Sequence, residues 1–307
     1  DHIKKAFLVG LFFSSIFFIL RAITLSVVVT PVGIFFKPNP VGIPWENYFF
    51  YDLFVKPHHP TYYTMYLTLG MVFLSSYLKN KLKLKGKLIV IFLIFYLVTV
   101  AFLTSSKAGI ITTVIVLVVI LYWLLKSKGK LVVSISLVSI LSIWGYLIAR
   151  NERFNNYLQQ FHILATSKAI DEQVVRKSPP RIEIWKSVPD IFKGRDFIFG
   201  VGIGDVKVKL REAYKSNKAN YALSEELNTH NQFLQTMVGI GLVGLLILLY
   251  ILGYTALLAI RNKDITLLSF LIIISSNFMF EAVLERVFGV LFFSFFLVLI
   301  TRNWDIK

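Results

Sequence analysis

The chain has 307 residues, of which 56% are hydrophobic and only 16% charged; soluble domains carry nearer a quarter charged residues, so a soluble globular fold is excluded. Cysteine is absent, which excludes disulfides, thiolate metal sites and a cysteine nucleophile. The formal net charge of +16 would suit nucleic acid, but membrane topology accounts for most of it, and no nucleic-acid partner is expected.

The apolar residues come in blocks of about 20, long enough to cross a hydrocarbon core about 30 Å thick. The expected fold is all-α: a polytopic helical membrane protein with about eight transmembrane helices and one large, partly helical extracytoplasmic loop. In chain order the spans fall at roughly 7–28, 61–78, 87–104, 108–125, 131–149, 232–260, 264–280 and 287–301. They divide the chain into N-terminal helices (1–149), a catalytic loop (150–230) and C-terminal helices (231–307). With the N-terminus in the cytoplasm, the inside loops hold fourteen Lys and Arg. The short outside loops hold four: Lys37, Lys56, Lys107 and Arg286. Because inside loops are the basic ones, the 150–230 segment is expected outside the cytoplasm. Trp123, Trp144 and Trp304 at span ends suit interfacial belts. The chain opens at Asp1 without a visible signal peptide, and is expected to be an N-terminally incomplete piece.

Three outer segments matter. Residues 29–60, rich in Pro and aromatics, are expected to be irregular with short interfacial pieces. Thr104, Ser105, Ser106 and Lys107 make a tight turn. In the large loop, Pro179 and Pro180 suit a helix start, and Ile182, Trp185, Val188 and Phe192 follow at helical spacing. The spacing predicts a short amphipathic helix over 181–193. Gly200, Gly202 and Gly204 lack the strand-and-helix context of a nucleotide loop and read as a turn. Residues 205–229 are polar and basic, as a lid would be. Gly239, Gly241 and Gly244 suit close helix packing.

Several residues could carry chemistry. His230 stands where the chain re-enters the bilayer; a neutral imidazole there could accept a proton from a hydroxyl, or the residue could cap a helix end. Arg181 precedes Trp185 by one turn, so both share a helix face. Its guanidinium suits bidentate phosphate binding, or snorkelling to lipid headgroups. Lys107 is held at the outer surface, either to neutralise a phosphate or as an anchor. Arg21 lies inside the first span, where charge is costly and functional by default, although snorkelling is open to it. His58 and His59 precede Pro60; adjacent histidines hold one metal poorly, so a structural or substrate contact is favoured and no metal site is expected. Glu281, Glu285 and Arg286 form the last outer turn; Glu281 could orient His230 or hold an acceptor sugar, or simply be exposed.

The order of these features resembles a known family. Arg181 is followed four residues later by Trp185, a Gly-x-Gly turn comes next, and His230, Asn231 and Leu234 open a helix that carries Gly239, Gly241 and Gly244. This is similar to the O-antigen ligase and O-antigen polymerase family over roughly 87–250. The turn Ser105 to Gly109, the stretch Glu281 to Gly289 and the run His59 to Tyr62 add looser likeness. Two departures stand out. Family members usually carry Arg where this chain has Lys107, which keeps the charge but loses the two-pronged fork. They also usually have more than eight spans.

The resemblance implies a metal-independent, cofactor-free, inverting glycosyltransferase at the extracytoplasmic face of a bacterial inner membrane. Its donor would be a glycan on undecaprenyl diphosphate. Its acceptor would be a sugar hydroxyl, on lipid A core in a ligase or on a second lipid-linked glycan in a polymerase. Partners would be these substrates and membrane lipid. His230 would be the general base; Arg181, Lys107 and Arg21 would bind the diphosphate; His59, Trp185, Asn231, Glu281 and Arg286 would be secondary site residues. Two rival classes are a lipid-linked oligosaccharide transporter, against which the absence of repeats speaks, and a glycolipid sensor, which would leave His230 idle.

Overall fold

The computed structural model describes residues 2–40, 42, 47–79, 82–127, 129–150, 155 and 180–301. The first part of the expected loop, with Pro179, and Trp304 lie outside the described residues. The described chain is helical apart from one hairpin. Helices occur at all eight apolar segments: α1 His2–Ser26, α3 Pro60–Leu78, α4 Leu84–Leu103, α5 Lys107–Leu125, α6 Lys130–Ala149, α11 Gln232–Arg261, α12 Ile265–Phe278 and α13 Val287–Thr301. Four of them, α1, α4, α5 and α11, are long and apolar enough to cross a membrane. Between them lie α2 Tyr51–Val55, α7 Pro180–Ser187, α8 Arg195–Phe199, α9 Val206–Ser216 and α10 Asn220–Ser224. The chain forms two compact units, Asp1–Arg153 with Asp264–Ile274, and Phe154–Lys263 with Ser275–Lys307.

In the first unit α3 is buried along most of its length. It is also the helix richest in hydroxyls, and these pair across helices. Thr64 Oγ1 lies 2.6 Å from Thr104 Oγ1, Thr68 Oγ1 2.8 Å from Thr113 Oγ1, and Thr61 Oγ1 3.1 Å from Ser106 Oγ. Small and hydroxyl residues let apolar helices approach closely where no hydrophobic force separates helix from lipid. Gly109 shows how close: a Cβ there would stand 2.6 Å from the Thr64 side chain.

The segment after α1 departs from the irregular course expected of 29–60. Val27–Thr30 and Gly33–Phe36 form an antiparallel hairpin, β1 and β2, with Thr30 opposite Gly33. The β-branched run Val27 to Thr30 favours extended backbone, and Pro31 cannot continue a helix.

The second unit holds a small apolar core unlike a membrane span. Ile184, Val188, Ile191, Val206, Leu210, Ala213, Tyr214, Ala219, Ala222 and Val238 pack together. Residues 205–229, read from sequence as polar and basic, fold as α9 and α10. Val206, Leu210, Ala213 and Tyr214 recur on one face of α9 and are buried, so its many charges are only the solvated face. Burial raises the Tyr214 phenol above its ordinary pKa, and its hydroxyl donates to Leu227 O at 3.1 Å. The helix expected over 181–193 is shorter. It starts at Pro180 and gives way to a 3-10 turn at Val188–Ile191, because Pro189 lacks the N–H that an α-helix needs. Its buried face is Ile184, Val188 and Ile191 rather than the face of Ile182 and Trp185.

At Gly241 the close approach is to the short helix α8 and the turn after it: a Cβ would stand 2.3 Å from Ile198 O and 2.5 Å from Gly200 N. Gly241 is non-helical inside α11, with φ 73° and ψ −165°. At this break the chain after α8 docks onto α11 backbone to backbone. Val201 N donates to Val238 O at 2.9 Å and Gly202 N to Gly239 O at 3.0 Å. These bonds occupy carbonyls that the break would leave without partners.

Candidate active site

The site grows from the turn before α11. His230 sits there at φ 45°, a left-handed conformation that costs a non-glycine residue about 1–3 kcal/mol and persists only where neighbours hold it. The neighbours are short-range amides. His230 N donates to Asn228 Oδ1 at 2.9 Å, and Thr229 N donates to Gln235 Oε1 at 3.2 Å. Thr229 Oγ1 donates to Asn231 O at 2.8 Å. The helix cap is Asn231, whose Oδ1 accepts from Leu234 N at 3.0 Å. The capping alternative for His230 therefore falls away, and its imidazole is left for other work.

That imidazole faces the turn between α12 and α13. Its Nδ1 lies 3.4 Å from Glu281 Oε2. Glu281 keeps only 12% of its side chain exposed, against 26% for His230, so the exposed-turn reading of Glu281 gives way to a half-buried pair. The two turns are tied at further points. Asn231 Nδ2 donates to Met279 O at 3.2 Å, Leu284 N donates to Gln232 Oε1 at 2.7 Å, and Glu285 accepts from Asn228 Nδ2 at 2.9 Å and from Gln235 Nε2.

The start of α7 is fastened to both turns. Arg181 Nη2 donates to Phe280 O at 3.0 Å, with the guanidinium 5.9 Å from the Phe280 ring centre. Trp185 Nε1 donates to Thr229 O at 3.0 Å. The one-turn spacing of Arg181 and Trp185 thus bridges the glutamate turn and the histidine turn. Arg181 Nε is buried and has no hydrogen-bond partner among the described residues. A donor buried without a partner is costly, and a bound anion would satisfy it.

Beside this cluster opens a cavity of about 660 Å³. His230, Glu281, Gln235, Glu285 and Arg286 line it, together with Lys207, Glu225, Glu226 and Asn228. Lys207 Nζ pairs with Glu226 at 2.6 Å, and that contact holds the Glu226 carboxyl below its ordinary pKa. The lining mixes carboxylates and amides with few cations, a surface suited to hydroxyl-rich ligands. Among the described residues no three His, Asp or Glu side chains gather as a metal-ligand set.

Of the residues singled out from sequence, His230, Asn231, Glu281, Arg286, Arg181 and Trp185 belong to this unit. Arg21, Lys107 and His59 belong to the first unit. There Arg21 Nη1 donates to Leu53 O at 3.2 Å and to Lys56 O at 3.3 Å. Lys107 opens α5 beside its cap Ser106. His59 caps α3 through Thr61 N. Sequence reasoning missed Asn228, Gln232 and Gln235 and gave Glu285 no role. The available signal was the pair of amides, Gln232 and Gln235, in the first turn of an otherwise apolar helix, where polar groups are expensive.

A family model described as O-antigen ligase matches residues 92–249, a stretch that includes Lys107, Arg181, Trp185 and His230. No curated protein and no solved structure matches the chain.

Proposed function

We propose, from the premise that this chain belongs to the O-antigen ligase family, that it moves a glycan from undecaprenyl diphosphate to a sugar hydroxyl on lipid A core. The family implies a bacterial membrane protein of the O-antigen ligase or polymerase type acting on lipid-linked glycans. The finer reading puts eight spans in the inner membrane and the site on its outer face, with an extracytoplasmic loop over 150–230 supplying His230 and Arg181.

In this reading Glu281 accepts a hydrogen bond from Nδ1–H of His230, which leaves Nε2 as the proton acceptor. Nε2 takes the proton of the acceptor hydroxyl, and the oxygen attacks the anomeric carbon from the face opposite the diphosphate. The bond from that carbon to the diphosphate oxygen breaks, the anomeric centre inverts, and undecaprenyl diphosphate leaves. The departing diphosphate gains charge, and fixed cations stabilise such charge best where water is scarce. Arg181 would supply such a cation in place of a metal ion. The observation that carries the reading is the pair of His230 and largely buried Glu281, both lining an open cavity, with Arg181 fastened to the carbonyl of Phe280 next to Glu281.

The test uses purified protein in liposomes with an undecaprenyl-diphosphate glycan and EDTA, with lipid A core in one arm and no added acceptor in the other. Transfer to core with release of undecaprenyl diphosphate is the expected result. Lengthening of the lipid-linked glycan without core would make it a polymerase, and an intact donor in both arms would overturn the enzyme reading in favour of transport or sensing.

Arg181 gives a second expected outcome. Arg181→Ala lowers kcat/KM for the donor about 10- to 100-fold, the worth of one charge-assisted hydrogen-bond set. Arg181→Lys recovers only part, because the ammonium keeps the charge and loses the fork. Initial rates against donor concentration measure both, and a fully active lysine variant would rule out bidentate binding.

A further inference from the structure

We propose that Glu285 is a positioning residue for His230, acting through two amides. This rests on the reading of His230 as the general base. Glu285 Oε2 accepts from Asn228 Nδ2 and Glu285 Oε1 accepts from Gln235 Nε2. Each amide is thereby fixed with its nitrogen toward Glu285 and its oxygen toward the histidine turn. The Asn228 oxygen accepts from His230 N, and the Gln235 oxygen accepts from Thr229 N. One carboxylate, 55 residues further along the chain, therefore sets the orientation of the two side chains that hold the backbone of residues 229 and 230.

The consequence lies in the backbone of His230. Its left-handed φ is a conformation that a non-glycine side chain keeps only when its surroundings impose it. Without Glu285 either amide can turn over and present nitrogen to a backbone N–H, donor against donor. The turn would then relax, and the imidazole would leave Glu281. Glu281 touches the imidazole directly; Glu285 decides whether the imidazole is there to be touched.

The pairing allows a swap that preserves every hydrogen bond. Glu285→Gln alone sets two amide nitrogens against each other, and Gln235→Glu alone sets two carboxylates against each other. In the double variant the new amide at 285 donates to the new carboxylate at 235 and still accepts from Asn228. The new carboxylate still accepts from Thr229 N.

The experiment measures glycan transfer by the full chain in liposomes, and the nitrogen NMR signals of the His230 imidazole in labelled protein without substrate. Glu285→Ala is expected to lower kcat about 10- to 100-fold, with the donor KM nearly unchanged and the imidazole signals moved away from a single tautomer. The double swap is expected to restore both to near the unsubstituted protein. Unchanged imidazole signals in Glu285→Ala would overturn the proposal, as would a double swap no better than the worse single variant. The signals do not depend on turnover. A His230→Ala variant that still transfers glycan would therefore defeat the general base while leaving the relay to be judged on the signals.

Discussion

Replacing His230 by alanine is expected to slow glycan transfer about 10²- to 10⁴-fold, the usual contribution of a positioned proton acceptor. That loss corresponds to about 3–5 kcal/mol of barrier. It should fall on kcat, with the donor KM little altered, because the imidazole acts on the acceptor proton and the diphosphate is held elsewhere. The fold is expected to survive. The cap of α11 is Asn231, and the ties between the two turns run through Asn231, Gln232, Asn228 and Gln235. Thermal melting of the variant should lie close to that of the unsubstituted protein. The decisive quantity is the initial rate of undecaprenyl diphosphate release at saturating donor. Turnover within a few-fold of normal would end the general-base role.

The second large effect is on stability. Gly241→Ala is expected to destabilise the protein by roughly 2–6 kcal/mol. A φ of 73° with ψ of −165° belongs to a region that is nearly glycine-only and costs other residues about 1–3 kcal/mol. The added methyl would also stand 2.3 Å from Ile198 O and 2.5 Å from Gly200 N, and overpacking of that kind costs about 1–3 kcal/mol more. Gly253 is the internal control. It lies in regular helix later in α11, and a methyl there meets nothing within 4 Å, so Gly253→Ala should be neutral or stabilise by up to about 1 kcal/mol. Melting temperatures of the two variants in one detergent measure the contrast. Equal melting would mean that the docking of residues 198–202 onto the break in α11 carries no stability. Activity should follow stability here, because α11 presents the histidine turn at its start.

The break itself marks a boundary of what a sequence reveals. Three glycines close together on an apolar helix suggest a close approach, and a close approach is found. Its partner, the end of α8 and the backbone just after it, is another matter. Glycine says only that a Cβ is missing, not whether a helix or a loop fills the space. The segment 205–229 shows a related limit. Its charged residues alternate with apolar ones, and the buried face of α9 needs only one apolar residue in every three or four.

Sequence by itself determined the all-α membrane character, the helix at each apolar block and the family likeness. These properties rest on short-range physics. A run of about 20 apolar residues must satisfy its backbone bonds internally, and helix is the local solution. It also determined that Arg181 and Trp185 share one side of a helix, since one turn of spacing suffices for that. Only the tertiary structure decided which side of α7 is buried, that Asn231 rather than His230 caps α11, and that Glu281 and Glu285 meet a turn some fifty residues earlier. Helical periodicity sets direction within one element. The pairing of two turns follows from how the helices that end in them pack, and a side chain's local sequence carries no record of its distant partner.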